Sequence, residues 1–129
     1  MPILRVRALP QKSPEKIKKA LSNACVSIAS VYGCKPDQVW STWEEIKPDM
    51  YFEGAVSAQV QPHSTHPPIA ELLCFEGLTS PQIEELLTTA AEALSNGLGI
   101  PNNIFMTYSE AKSGQVIAGD GIVRKKFFV

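Results

Sequence analysis

The chain is written twice. PILRVRAL at residues 2–9 returns as PIAELLCF at residues 68–75, and SPEKIKKALSNAC from Ser13 returns as SPQIEELLTTAAEAL from Ser80. KPDQVWSTWEE from Lys35 returns as IPNNIFMTYSE from Ile100. In this last pair Pro36 matches Pro101, Val39 matches Ile104, Trp40 matches Phe105, Trp43 matches Tyr108 and Glu45 matches Glu110. No single segment is specific, but all three recur in the same order. A duplicated module of this length folds as two like units that share one core.

Each half reads as strand, helix, strand. Ile17, Ala20, Leu21, Ala24, Cys25, Ile28 and Tyr32 fall at helical spacing in the first half. Ile83, Leu86, Leu87, Ala90, Ala91, Leu94 and Leu98 do so in the second, and each stripe is wide enough to cover a sheet. Ser13 and Ser80, each followed by proline, are the expected N-caps. Gly33, and Gly97 or Gly99, are the expected stops. The second strands are expected at about residues 38–46 and 103–110. A strand, a helix and a second strand make a βαβ unit with parallel strands. The expected class is therefore α+β: one domain over residues 1–129, with repeat one at about 1–58 and repeat two at about 67–129. Its two βαβ repeats form a four-stranded mixed sheet with both helices on one face. The other sheet face has no cover within the chain and demands an oligomer. The linker EGAVSAQVQPHSTHPP reads as a loop in which AVSAQV is a candidate short strand. SGQVIAGDG reads as a hairpin, and the strand-like tail GIVRKKFFV as a segment that pairs with a neighbouring subunit.

Composition excludes several classes. Of 129 residues 44% are hydrophobic, enough for a core, and formal net charge is −1 with no basic run longer than RKK at residues 124–126, so nucleic acid is not an expected partner. No apolar run approaches membrane-spanning length, and Arg5 and Arg7 interrupt any signal-peptide core. Cys25, Cys34 and Cys74 lack metal-ligand spacing and read as reduced, packed thiols of a cytoplasmic protein. His63 and His66 lie in the Pro-rich linker, which leaves a nucleophilic cysteine without an evident partner. Neither a metal nor a cofactor is expected.

Pro2 admits two readings. Proline is tolerated at the start of a strand, and Pro68 at the matching place favours that role. If Met1 is removed, Pro2 instead becomes the chain's secondary amine, and burial beside cations makes such an amine a base near neutral pH. Arg5 and Arg7 share a strand face, either as cations beside Pro2 or, for Arg5, as a cross-strand partner of Glu71. Trp40 and Trp43 fall on opposite faces of one strand, one for the core and one for a pocket wall or more packing. Tyr51 and Phe52, before the turn at Glu53-Gly54, are either pocket wall or loop anchor. Arg124 reaches a neighbour's site or marks the surface. The matched Glu45 and Glu110 point to structure.

The Met-Pro-Ile strand, the amphipathic helix and the second strand near residue 40, all duplicated, resemble the long-chain branch of the tautomerase superfamily, which includes macrophage migration inhibitory factor. MPILRVRAL, YFEGA and IAELLCFEG resemble more closely a small group of bacterial tautomerase-like proteins known as a domain of unknown function. The resemblance implies two βαβ units about a pseudo-twofold axis, a homotrimer and a cofactor-independent keto–enol tautomerase of small carbonyl acids. It implies Pro2 as base, with Lys12 or Arg5 as the anion partner. Lys12 falls where short oxalocrotonate tautomerases place one arginine, and Trp40 where they place a second. Tyr51 or Phe52 falls where they place an aromatic wall. Lysine lacks the fork geometry of arginine, which argues against a dicarboxylate and leaves a smaller keto acid or an aryl pyruvate. The alternative is a non-catalytic trimer of the same fold that binds a small ligand or a protein partner.

Overall fold

The computed structural model describes residues 1–125. Strand β1 (Ile3–Ala8) leads into helix α1 (Glu15–Tyr32), a short 3-10 turn at Pro36–Gln38, and β2 (Trp40–Glu45). A hairpin of β3 (Phe52–Glu53) and β4 (Val56–Ser57) follows. The second half repeats the order as β5 (Ile69–Phe75), α2 (Ser80–Leu98) and β6 (Phe105–Ala111), then a hairpin of β7 (Val116–Ile117) and β8 (Val123–Arg124). The repeat unit is thus strand, helix, strand, hairpin. AVSAQV supplies β4, and SGQVIAGDG the turn and first strand of the second hairpin.

The main sheet runs β2-β1-β5-β6, with each half parallel and β1 antiparallel to β5 at the centre. Backbone bonds at the two strand starts show that the halves match. Trp40 N–H donates to the Pro2 carbonyl at 3.1 Å, and Phe105 N–H to the Pro68 carbonyl at 3.0 Å. Leu4, Val6, Ala70, Leu72 and Cys74 alternate inward and share one core with residues of both helices. Each fully buried leucine among them stabilises by roughly 1.5–3 kcal/mol. Ala20, Ala24, Ile28 and Ala29 line α1, and Leu86, Ala90, Leu94 and Leu98 line α2. The small side chains let the helices approach closely: a Cβ on Gly97 would stand 2.7 Å from both Cα and Cβ of Ala20. Gly97 is therefore a packing position, and Gly99 (φ 73°) is the stop, as Gly33 (φ 87°) is for α1.

Both expected N-caps are displaced. Pro14 is already helical (φ −59°, ψ −28°), so Ser13 offers its carbonyl, not its hydroxyl, to Lys16 N–H at 3.0 Å. Ser80 is the first residue of α2, and the extended Thr79 caps it. Thr79 Oγ1 accepts from Gln82 N–H at 3.3 Å while Gln82 Oε1 accepts from Thr79 N–H at 2.9 Å, a reciprocal capping box. Leu9 lies beyond the strand end and is buried. Residues 123–124 of the tail pair within the chain, and residues 126–129 lie outside the described residues.

The second sheet face carries Trp40, Thr42 and Glu44, then Ile3, Arg5 and Arg7, then Ile69, Glu71 and Leu73, then Phe105, Thr107 and Ser109. Nothing in the described chain covers it: Trp40 is 50% exposed and Phe105 57%. Arg5 stands opposite Glu71 in register, while the ion pair formed on this face joins Arg7 Nε to Glu44 Oε1 at 3.5 Å. Both hairpins add exposed apolar side chains, among them Phe52, Val56, Ile117 and Val123.

Candidate active site at the amino-terminal end of the sheet

In a βαβ unit the helix runs back along the strands, so its carboxyl end lies beside the start of the first strand. Here that geometry sets Tyr32, the last residue of α1, beside the chain start. The Met1 amino group and the Tyr32 hydroxyl are 3.4 Å apart. Around them lies a cleft of about 460 Å³, lined by Met1, Tyr32, Cys34, Asp37, Gln38, Trp40, Phe75, Ala118 and Arg124. Trp40 and Phe75 supply apolar walls, and the β7–β8 hairpin brings Arg124, whose guanidinium Asp120 holds at 2.8 Å. The pyrrolidine ring of Pro2 is fully buried.

Burial raises two phenols and one thiol at and near the cleft. Burial raises the Tyr32 phenol above its ordinary value, and the Cys74 and Cys34 thiols add to this. Burial likewise raises the Cys74 thiol, against a smaller opposing pull from Tyr108 and the amino terminus. The Tyr108 hydroxyl lies beside Cys74, is shut off from solvent and has no well-formed hydrogen bond within the described residues. Desolvation holds it far above the ordinary tyrosine value. Cys25 is a packed thiol that donates to the Val39 carbonyl and Ser41 Oγ, whereas Cys34 lines the cleft. Among the described residues no three His, Cys, Asp or Glu side chains are grouped to hold a metal ion.

Of the residues singled out by sequence, Trp40 and Arg124 line the cleft, and Pro2 follows the lining residue Met1 in the chain with its ring buried. The cleft does not bring in the rest. Lys12 lies at the far end of β1, a six-residue strand of about 20 Å. There it lines a smaller cleft of about 190 Å³ with Gln11, Lys16, Gln61 and His63. Arg5 points out of the open sheet face. Tyr51 donates from its hydroxyl to the Pro67 carbonyl at 2.7 Å and meets His66 edge to face at 5.1 Å, so within one chain it anchors the linker. Phe52 is exposed on the first hairpin. Tyr32, Cys34 and Phe75 were missed by sequence reading. Their signal was positional: each stands at an element end that βαβ topology carries to the start of β1.

No family model matches the chain, and no curated protein matches it in sequence. Solved structures do. Pt0534, described as inactivated by 2-oxo-3-pentynoate, superposes with a TM-score of 0.80 at 17% identity over 94% of each chain. A fused 4-OT, described as a wild-type asymmetric trimer, gives 0.79 at 15% identity over 94% of each. Macrophage migration inhibitory factor of Toxoplasma gondii gives 0.65 at 19% identity, over 92% of this chain and 96% of that one. This chain has the tautomerase fold. Within the tautomerase fold the duplicated unit, the mixed sheet and the single helical layer are the features read from sequence. No helix among the described residues is long and apolar enough to cross a membrane.

Proposed function

We propose that the protein is a cofactor-independent keto–enol tautomerase of small carbonyl acids, with Pro2, once Met1 is removed, as its base. The observation that carries this reading is the chain start itself: Met1, next to Pro2, lines a walled cleft that Tyr32 and Arg124 also line. Removal of Met1 vacates room next to the Pro2 nitrogen and turns an amide into a secondary amine. Desolvation disfavours the ammonium form, which leaves the amine able to take a proton from the carbon next to a carbonyl. Arg124 binds the substrate carboxylate, and Trp40 and Phe75 pack on its side chain. One cation suits a monoanionic keto acid better than a dicarboxylate.

The uncovered sheet face and the trimer described for the fused 4-OT support a homotrimer. In such an assembly Lys12, Tyr51 and Phe52, remote from Pro2 within one chain, reach a cleft only from a neighbouring protomer. The test is turnover of phenylpyruvate enol by purified protein whose intact mass shows loss of Met1, with the trimer checked by light scattering. Turnover by that form, and none by protein retaining Met1, is the expected result. A Met1-free trimer that binds phenylpyruvate without turnover favours the non-catalytic reading instead.

A further inference from the structure

We propose that Tyr32 is the second acid–base group of this cleft, a phenol that bridges the amino-terminal nitrogen and the substrate carbonyl oxygen and passes the proton between them. The inference rests on the tautomerase reading above and names a group that reading leaves open. A keto–enol exchange moves one proton from carbon to oxygen. A base alone takes the proton, but something must deliver one to the oxygen.

Three observations place Tyr32 in that role. First, its hydroxyl is 3.4 Å from the terminal nitrogen. In the Met1-free chain the terminal nitrogen becomes that of Pro2, one residue along and less than about 4 Å away. Second, the phenol lines the same cleft as Trp40, Phe75 and Arg124, so a carboxylate on Arg124 lies in one space with it. Third, the duplication supplies a comparison within the molecule. The α1 stop, Gly33 N–H and Cys34 N–H both donating to the Ala29 carbonyl, repeats as Gly99 N–H and Ile100 N–H donating to that of Ser95. Tyr32 therefore corresponds to Leu98. At that end the proline is Pro68, an amide within the chain, and no amine exists. The phenol accompanies the terminal amine and is replaced by a hydrocarbon where the amine is absent.

Among the described residues, the titratable and charged groups around the nitrogen and the phenol include Cys34 and Asp37 after α1, Cys74 from β5, Tyr108 from β6, Arg124 from β8 and Lys125 after it. Burial and the thiols keep Tyr32 protonated, as a donor must be. In the step, a C–H bond on the carbon next to the ketone breaks and an N–H bond forms on Pro2. The Tyr32 O–H proton passes to the carbonyl oxygen, and the Pro2 ammonium returns a proton to the phenolate. The net change is one C–H exchanged for one O–H, with no other reactant.

Tyr32→Phe removes one oxygen and keeps the ring. In Met1-free protein, kcat for phenylpyruvate should fall about 10²-fold with KM changed by less than a few-fold. The Pro2 nitrogen, followed by ¹⁵N NMR, should titrate at lower pH, because the ammonium loses an acceptor. A kcat within twofold of the parent and an unmoved titration overturn the inference. If Pro2→Ala removes turnover and Tyr32→Phe does not, the base stands and the relay falls. If the parent protein itself turns nothing over, the relay falls together with the proposed function.

Discussion

Pro2→Ala should lower kcat/KM for an enolisable keto acid by about 10²- to 10⁴-fold, the range associated with a positioned general base. The variant keeps a terminal amine, so the loss comes from placement. Proline fixes φ near −65°, and its fully buried ring leaves the nitrogen one orientation toward the cleft. Alanine lets the nitrogen rotate and leaves space behind it. The repeat provides the control. Pro68 is equally buried at the matching strand start, yet its nitrogen is an amide. Pro68→Ala should therefore leave turnover within a few-fold while costing stability comparable to that lost in Pro2→Ala. Steady-state kinetics and denaturant titration on both variants separate chemistry from packing. Equal kinetic losses would show that the proline at position two has only a structural role.

Gly97→Leu should destabilise the fold by about 3 kcal/mol, the upper end of what overpacking usually costs. An added Cβ alone meets Ala20 Cα and Cβ at 2.7 Å, and the Cα belongs to a helix that cannot yield without moving α1 off the sheet. Even Gly97→Ala should destabilise, although alanine favours the helix by about 1 kcal/mol over glycine. Gly119→Ala, with nothing within 4 Å of its added Cβ, should stay within about 0.5 kcal/mol of the parent. A neutral Gly97→Ala in urea unfolding would mean that the two helices are not held at this separation.

Duplication made most of the architecture legible, because three echoes in one order left few arrangements of strands and helices. Helix stripes at 3.6-residue spacing named the core-facing residues on both halves. Local hydrogen bonding was less legible. Ser80-Pro81 looks like a cap followed by N1, yet Thr79 is the extended residue and forms the box with Gln82. Only one strand of the first hairpin was legible, in AVSAQV; its partner at Phe52–Glu53 was not, because a two-residue strand carries too little alternation to register. The site was half legible. Trp40 and Arg124 line one cleft with Met1, the neighbour of Pro2, but Lys12 was placed by counting along the chain, which says nothing about which end of a strand a loop occupies. Tyr32 fell into the apolar stripe of α1, where helical spacing assigned its ring to packing and hid its hydroxyl.

The most direct measurement is covalent. An acetylenic keto acid such as 2-oxo-3-pentynoate carries an electron-poor triple bond to which a neutral secondary amine adds. Incubated with this protein and followed by intact mass and peptide mapping, it should give one adduct per chain, on the nitrogen of Pro2 in a chain lacking Met1, with loss of turnover in step. A chain that keeps Met1, or one that loses it and is modified elsewhere or not at all, would contradict the account.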